Sequence, residues 1–235
     1  MEHDLNQLPP WELLAKKMIW QQLGDLQGKR ILDFGSGEGV TACHYGENND
    51  VVAVEPSEES VAKRWQASPY QQLVGSTEKL AQLESGTFDV ILCHNVLEYV
   101  PDREEILGRF HRLLKPDGVL SIVKHNRPGR VMQMVVLLNA FDKATDLLNG
   151  KDGTAAQFGT IRYYEDEDIT RWCGGLEIRK VFGIRTFWDL QQNQDSHSQQ
   201  PWQEKMLEAE AKVSELEPYR SVAFFHHVIL RKNSL

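Results

Sequence analysis

The 235-residue sequence predicts a doubly wound α/β fold, an open and mainly parallel sheet with helices on both sides. Three observations point to it. Apolar runs of strand length alternate with helical stretches from residue 30 onward. The run FDVILC at 88–93 has the composition of a strand buried on both faces. The first apolar run, 30–34, empties into a bend carrying Gly35, Gly37 and Gly39.

The elements follow in order. Residues 9–24 open with proline, close with glycine and repeat Trp11, Leu14, Ile19 and Leu23 at near-helical spacing, which makes an N-terminal helix. After the strand at 30–34 come a helical stretch to Gly46 and a second strand at 51–54. A helix over 57–65 has Ser57 as its cap and Glu58 and Glu59 in its first turn. Leu73 and Val74 mark a third strand, 88–93 the fourth, 101–114 a helix and 118–123 the fifth strand. The rhythm then breaks. Residues 124–170 hold a basic turn (KHNRPGR), an apolar helix over 131–141, a loop over 149–159 and an acidic helix start at 164–170. An insertion late in a doubly wound sheet is expected to lie over the carboxyl ends of the strands as a helical lid. A strand over 176–187, a helix over 201–216 and a strand over 221–230 complete a single domain, 1–235. Its parts are an N-terminal helix (1–28), a cofactor-binding half (29–123), the lid (124–170) and C-terminal strands and helix (171–235).

Composition limits the function. Hydrophobic residues at 41% and charged residues at 26% describe a soluble globular chain, and no stretch reaches the roughly 18 apolar residues of a membrane span. The first ten residues carry no signal or transit pattern, so the expected location is the cytoplasm. Cys43, Cys93 and Cys173 lie far apart, form neither a disulfide framework nor a metal site, and read as buried thiols. A net charge of −8 disfavours indiscriminate binding to nucleic acid. The charge is uneven, however: residues 106–130 carry six Lys or Arg against Asp117 alone, enough to receive an anion at one place.

The bend IleLeuAspPheGlySerGlyGluGly at 31–39 lets a ligand approach the backbone at Gly35, Ser36 and Gly37, just ahead of a helix N-terminus. Glu55 ends the second strand about twenty residues on, where a carboxylate can accept both ribose hydroxyls. A dinucleotide motif needs a small residue where Val40 stands, and Asp33 would repel a diphosphate. The same acid attracts a cation, which favours S-adenosylmethionine, with its ammonium and sulfonium, over a nicotinamide cofactor.

With these residues the chain resembles the class I S-adenosylmethionine-dependent methyltransferases. ILDFGSGEG, VVAVEPS, GTFDVILCHNVLEYVPD and LLKPDGVLSIV are similar to that family's successive motifs, in order, over 30–123. The resemblance implies a seven-stranded Rossmann-like sheet with a final antiparallel strand. It implies Asp33, Gly35 and Gly37 around the methionine moiety, Glu55 on the ribose, Pro56 against the adenine, Ser76 and Thr77 at the adenine edge, and His94 with Asn95 near the methionine end. HNVLEYV at 94–100, the stretch 126–142, GIRTF at 183–187 and EPY at 217–219 extend it to the bacterial tRNA carboxymethoxyuridine methyltransferases, which esterify a carboxylate on a wobble uridine.

A carboxylate nucleophile needs no general base, only a cationic clamp and alignment with the methyl group. Arg127, Arg185, Arg130, Arg162, His125 and Lys124 are the candidates for the clamp, or solvated surface charges; Arg127 and Arg185, with His94, are the catalytic candidates. His94 is otherwise a hydrogen-bonded strand cap. Lys16, Lys17 and Trp20 can cover the methionine carboxylate, or belong to a plain amphipathic helix. Tyr163, Tyr164 and Tyr219 can stack on a base, or edge the core. The expected activity is methyl transfer to an anionic acceptor, a tRNA or a small molecule. A small-metabolite methyltransferase and a non-catalytic S-adenosylmethionine-binding protein are the alternatives, with no metal and no membrane partner expected. Oligomeric state is not written in the sequence.

Overall fold

The computed structural model describes residues 4–155 and 159–233. Helix α1 (Pro10–Leu23) has proline in its first turn and ends at Gly24, whose φ of 74° suits only glycine well. Five parallel strands follow: β1 (Arg30–Phe34), β2 (Asp50–Glu55), β3 (Gln71–Val74), β4 (Phe88–His94) and β5 (Leu114–His125). Helices α2 (Val40–Gly46), α3 (Glu58–Ala62), α4 (Thr77–Gln82) and α5 (Arg103–Leu113) connect them. Beyond β5 run α6 (Arg127–Val136), α7 (Phe141–Leu148), a hairpin of β6 (Gly153–Ala155) and β7 (Gly159–Ile161), and α8 (Asp166–Trp172). Strand β8 (Leu176–Ile184), α9 (Gln200–Val213) and β9 (Phe225–Lys232) close the order.

The seven-stranded sheet is ordered β3-β2-β1-β4-β5-β9-β8, with β9 antiparallel to both of its neighbours. Alternate residues of β1 and β4 enter separate apolar clusters, Leu32 and Ile91 on one side, Ile31 and Leu92 on the other. That is the burial the unbroken apolar runs require. Cys43 and Cys93 are buried, while Cys173 is only half-buried. Among the described residues no helix is long and apolar enough to cross a membrane, and no group of three or more His, Cys, Asp or Glu could hold a metal ion.

The half before β5 follows the sequence reading closely; the half after it corrects the reading in detail. The apolar helix expected over 131–141 begins at Arg127 and breaks into two, because Asn139 takes a left-handed conformation (φ 49°) between α6 and α7. The loop expected over 149–159 contains the β6–β7 hairpin. The strand expected to reach Phe187 stops at Ile184, since Arg185 is also left-handed (φ 62°), and the last strand starts at Phe225 because a short 3-10 turn occupies Arg220–Val222.

The segment after β5 is anchored at the β9 side of the sheet. Asn126 Nδ2 donates to the carbonyls of Ser221 and Ala223. Gly129 lies so close to the chain that a Cβ there would be 2.1 Å from the Ala223 carbonyl oxygen. Lower down, the buried Lys124 pairs with Asp166 of α8 at 3.0 Å, and Asp166 also takes His226 Nδ1 at 2.8 Å. Burial works to raise the Asp166 pKa, but the His226 hydrogen bond and the Lys124 and His226 charges outweigh it and hold the group at about 2. A depressed carboxylate stabilises the fold above its unfolded value of 3.8, so this contribution should vanish as pH falls from about 4 to 2. Asp166→Asn, which strands a buried ammonium, should cost about 3 kcal/mol at neutral pH by urea denaturation.

Candidate functional site

A cleft of about 1000 Å³ opens at the carboxyl ends of β1 to β4. The bend after β1 forms its floor. Gly35 and Ser36 donate their N–H groups to the Val54 carbonyl at 2.8 and 3.1 Å, which bolts the bend to β2. Gly35 has φ 77°, and a Cβ there would meet Val96 Cγ2 at 2.3 Å, so the position admits no side chain. Glu55, buried at the end of β2, accepts from Gly37 N–H through Oε2 at 2.8 Å and from Ser57 N–H through Oε1 at 2.9 Å. A carboxylate has about four acceptor sites, so both oxygens keep capacity for a vicinal diol.

Asp33 is the charged group at the centre. It is 4% exposed, and its Oδ2 has no hydrogen-bond partner among the described residues. A buried acceptor without a partner is costly in an isolated chain and is well matched to a cationic ligand. Burial pushes its pKa up to about 6 against the lowering effect of nearby Lys16, with Glu55 adding to the rise. Lys16 reaches over from α1, its Nζ 3.3 Å from Thr41 Oγ1 and 3.8 Å from Glu12 Oε1. Ser36 Oγ is a second buried polar atom without a partner among the described residues. The cleft thus carries acceptor and cation at one end, as a zwitterionic methionine group requires, and a diol acceptor with spare capacity beside them. These residues fit S-adenosylmethionine.

The structure brings Asp33, Gly35, Ser36, Gly37, Glu55, Pro56, Ser76, His94 and Asn95 to this one cleft. Thr77 starts α4 beside it but does not line it. Lys16 lines it as well, whereas Lys17 is exposed and Trp20 stacks on His44 at 3.7 Å. Trp11, Thr41, Trp65, Tyr99 and Phe225 also line it and were not foreseen; only the isolated Trp65 in a polar stretch offered a signal. Among the described residues none of 124–170 lines the cleft, so the expected lid is not confirmed. Its cover is residues 7–19, because the later segment is held against 221–223 instead.

The expected cationic residues scatter, for physical reasons. Arg127 does not line the cleft: its Nη1 donates to the carbonyls of Leu147 and Lys151, and its guanidinium lies 4.7 Å from the Tyr163 ring centre. Lys124 is consumed by Asp166. Arg162 donates its own N–H to Glu98 O and directs its side chain to Tyr99 O at 3.5 Å. Tyr164 is buried beneath Arg103 and Lys124, and Tyr219 is exposed.

Arg185 lies against Trp11 and Phe225 at the cleft's edge, His125 lies against Phe225, and Arg130 lies beside them on Phe224; none of the three lines the cleft itself. Arg185, 6% exposed, binds Asp189 through Nε at 2.8 Å and through Nη2. Glu210 fixes the turn that carries it, accepting the N–H groups of Thr186, Phe187 and Trp188 at 2.7 to 3.0 Å. Arg130 bonds Gln133 Oε1, and Gln133 Nε2 donates to Asp189 at 2.8 Å, so the amide links Arg130 to the carboxylate that Arg185 holds directly. Phe224 lies under both, 4.6 Å from Arg185 and 5.5 Å from Arg130. Their excess positive charge shows in His125: burial, then Arg130 and Arg185, drive its pKa down to about 3. An arginine in a left-handed conformation is strained, and such strain is held only where its surroundings over-determine it.

A family model described as a methyltransferase domain matches residues 32–122. The chain is 28% identical to the tRNA 5-carboxymethoxyuridine methyltransferase of Escherichia coli K12, over 93% of this chain and 88% of that one. It is 29% identical to a ubiquinone biosynthesis O-methyltransferase of Pseudomonas aeruginosa, over 77% and 76%. Among solved structures, an S-adenosylmethionine-dependent methyltransferase from Mesorhizobium loti superposes with a TM-score of 0.57 at 18% identity, covering 97% of this chain and all of that one.

With Asp33 proposed as the partner of the ligand's positive charge, cofactor binding is expected to depend on pH. The cationic ligand selects the ionised carboxylate, so affinity should be level above pH 6 and fall towards tenfold per pH unit below it, as measured by calorimetry from pH 5 to 8. Asp33→Asn should weaken binding by about 1–3 kcal/mol and remove that slope.

Proposed function

We propose, from the premise that this chain is a class I S-adenosylmethionine-dependent methyltransferase, that it transfers the methyl group to a carboxylate, and that this carboxylate belongs to a carboxymethoxyuridine in tRNA. The observation carrying the proposal is the Arg185–Asp189–Gln133–Arg130 cluster: Asp189 pairs with Arg185 alone and reaches Arg130 only through the neutral Gln133 amide, leaving a net positive charge near the edge of the cleft for an acidic acceptor. Likeness to the tRNA 5-carboxymethoxyuridine methyltransferase along 93% of the chain supports the finer identity.

When bound, S-adenosylmethionine supplies a methyl group already activated by positive sulfur. The residues of the chain do the rest. Asp33 and Lys16 bind the two charges of the methionine end, and Glu55 orients the ribose while holding the bend in shape. Residues 7–19 cover the cleft and exclude water from the reacting atoms. Arg185 and Arg130 draw the carboxylate in and align one oxygen with the methyl carbon; Arg185 retains Nη1 for this after Asp189 has taken Nε and Nη2. A carboxylate is ionised at neutral pH, so no side chain has to remove a proton. Alignment then accounts for the barrier reduction, and no basic group is required.

The likeness to a ubiquinone biosynthesis O-methyltransferase favours a second reading, the hydroxyl oxygen of a small molecule as acceptor. A hydroxyl would need a base, and His94, neutral and at the cleft, is the group available to take its proton.

Methyl-labelled cofactor given with bulk tRNA or with a metabolite extract separates the two. Label entering tRNA and released by mild alkali, as an ester is, supports the carboxylate acceptor. Alkali-stable label, or label confined to the small-molecule fraction, refutes it. Arg130→Met should raise KM for the acceptor about tenfold or more and leave the cofactor Kd unchanged.

A further inference from the structure

A buried line of hydrogen bonds runs from the cofactor cleft through the sheet to α1. His94 Nε2 is 2.8 Å from Ser121 Oγ, Ser121 Oγ is 2.7 Å from His227 Nε2, and His227 Nδ1 is 2.7 Å from Gln22 Oε1. Ser121 and His227 are both 0% exposed, so the bond between them is closed to solvent, while His94 and Gln22 at the two ends are half-buried.

Counting protons fixes its direction. Ser121 has one hydroxyl proton and stands between two imidazole nitrogens. At the far end the Gln22 carbonyl oxygen can only accept, so His227 carries its proton on Nδ1. Burial keeps His227 neutral, with a pKa of about 3, and its Nε2 is then bare. That nitrogen takes the Ser121 hydroxyl proton, and Ser121 Oγ in turn takes a proton from His94 Nε2. His94, held neutral by burial with His227 and Lys16 nearby, is left with a bare Nδ1. The opposite direction requires the Gln22 amide to turn round and places an N–H on His94 Nδ1. Lys16 already brings positive charge to this cleft, and the ligand brings more, so electrostatics favour the first direction.

We propose that Gln22, His227 and Ser121 are positioning residues that hold His94 as its Nε2-protonated tautomer, so that a bare Nδ1 is offered to the positive charge of the methyl donor. The proposal rests on the cofactor assignment and is independent of the acceptor. It gives α1 a second role, because the helix that lays Lys16 over the cleft also sets, through Gln22, the polarity of a side chain on the opposite wall.

Nitrogen-15 NMR of histidine-labelled protein reads the tautomer directly, with the His94 signals assigned by their loss in His94→Gln. The expected spectrum of the free protein shows His94 with a protonated Nε2 and a bare Nδ1, and His227 with the reverse. His94 protonated on Nδ1 overturns the proposal. In Gln22→Met and Ser121→Ala, His94 should drift to a mixture of tautomers. The preference for S-adenosylmethionine over the uncharged thioether S-adenosylhomocysteine should then fall by up to about tenfold. A changed tautomer with an unchanged preference also overturns it, whereas a purely structural role would weaken both ligands alike. A protein that binds neither ligand would refute the cofactor assignment instead, and the spectrum of the free protein would still decide the relay.

Discussion

The site depends on a carboxylate holding backbone. Glu55 grips the N–H groups of Gly37 and Ser57 with its two oxygens, and so ties the bend after β1 to the start of α3. Apart from that grip the bend is located by the Val54 carbonyl and by the Trp65 N–H on the Glu38 carbonyl, and its glycines offer no side chain to pack. The carboxylate can do this because it is buried, where hydrogen bonds are strong, and because it keeps acceptor capacity in reserve. One residue therefore shapes the floor of the cleft and keeps acceptor capacity for the ribose proposed to lie beside it.

A second constraint operates at the other side. The Arg185 turn is left-handed, and it is held by three N–H groups donated to the wholly buried Glu210 and by the Asp189 ion pair. Burial raises the Glu210 pKa, opposed by those hydrogen bonds. Rigid fixing of the guanidinium suits the clamp role proposed for Arg185.

Sequence patterns disclosed the cofactor half because its chemistry is local. Asp33, Gly35 and Glu55 are delivered by two adjacent strands and the bend between them, so periodicity and turn residues locate them without knowledge of the rest of the fold. The sheet order and the antiparallel β9 were legible only through family resemblance. The Arg130–Arg185–His125 cluster was only partly legible. Its members were visible as cations, yet what gathers them is the pairing of β5, β9 and β8, strands distant in sequence. Arg127 shows the same limit, since nothing near it in sequence announces the carbonyls of Leu147 and Lys151. The packing of 124–170 was not legible, because an insertion's length does not say which edge it will be anchored to. Asn126 and Gly129 decided that through contacts about a hundred residues away.

Strand β9 lies between β5 and β8, although both precede it along the chain. On the ribosome β5 is therefore made with one edge open, and it stays open while roughly a hundred further residues emerge. The late strand seals that edge and at the same moment brings Phe224, Phe225 and His227 into place. An unpaired central strand is a hazard for association between nascent chains. Closure of the sheet and maturation of the cleft's far wall are thus a single event in the birth of the molecule.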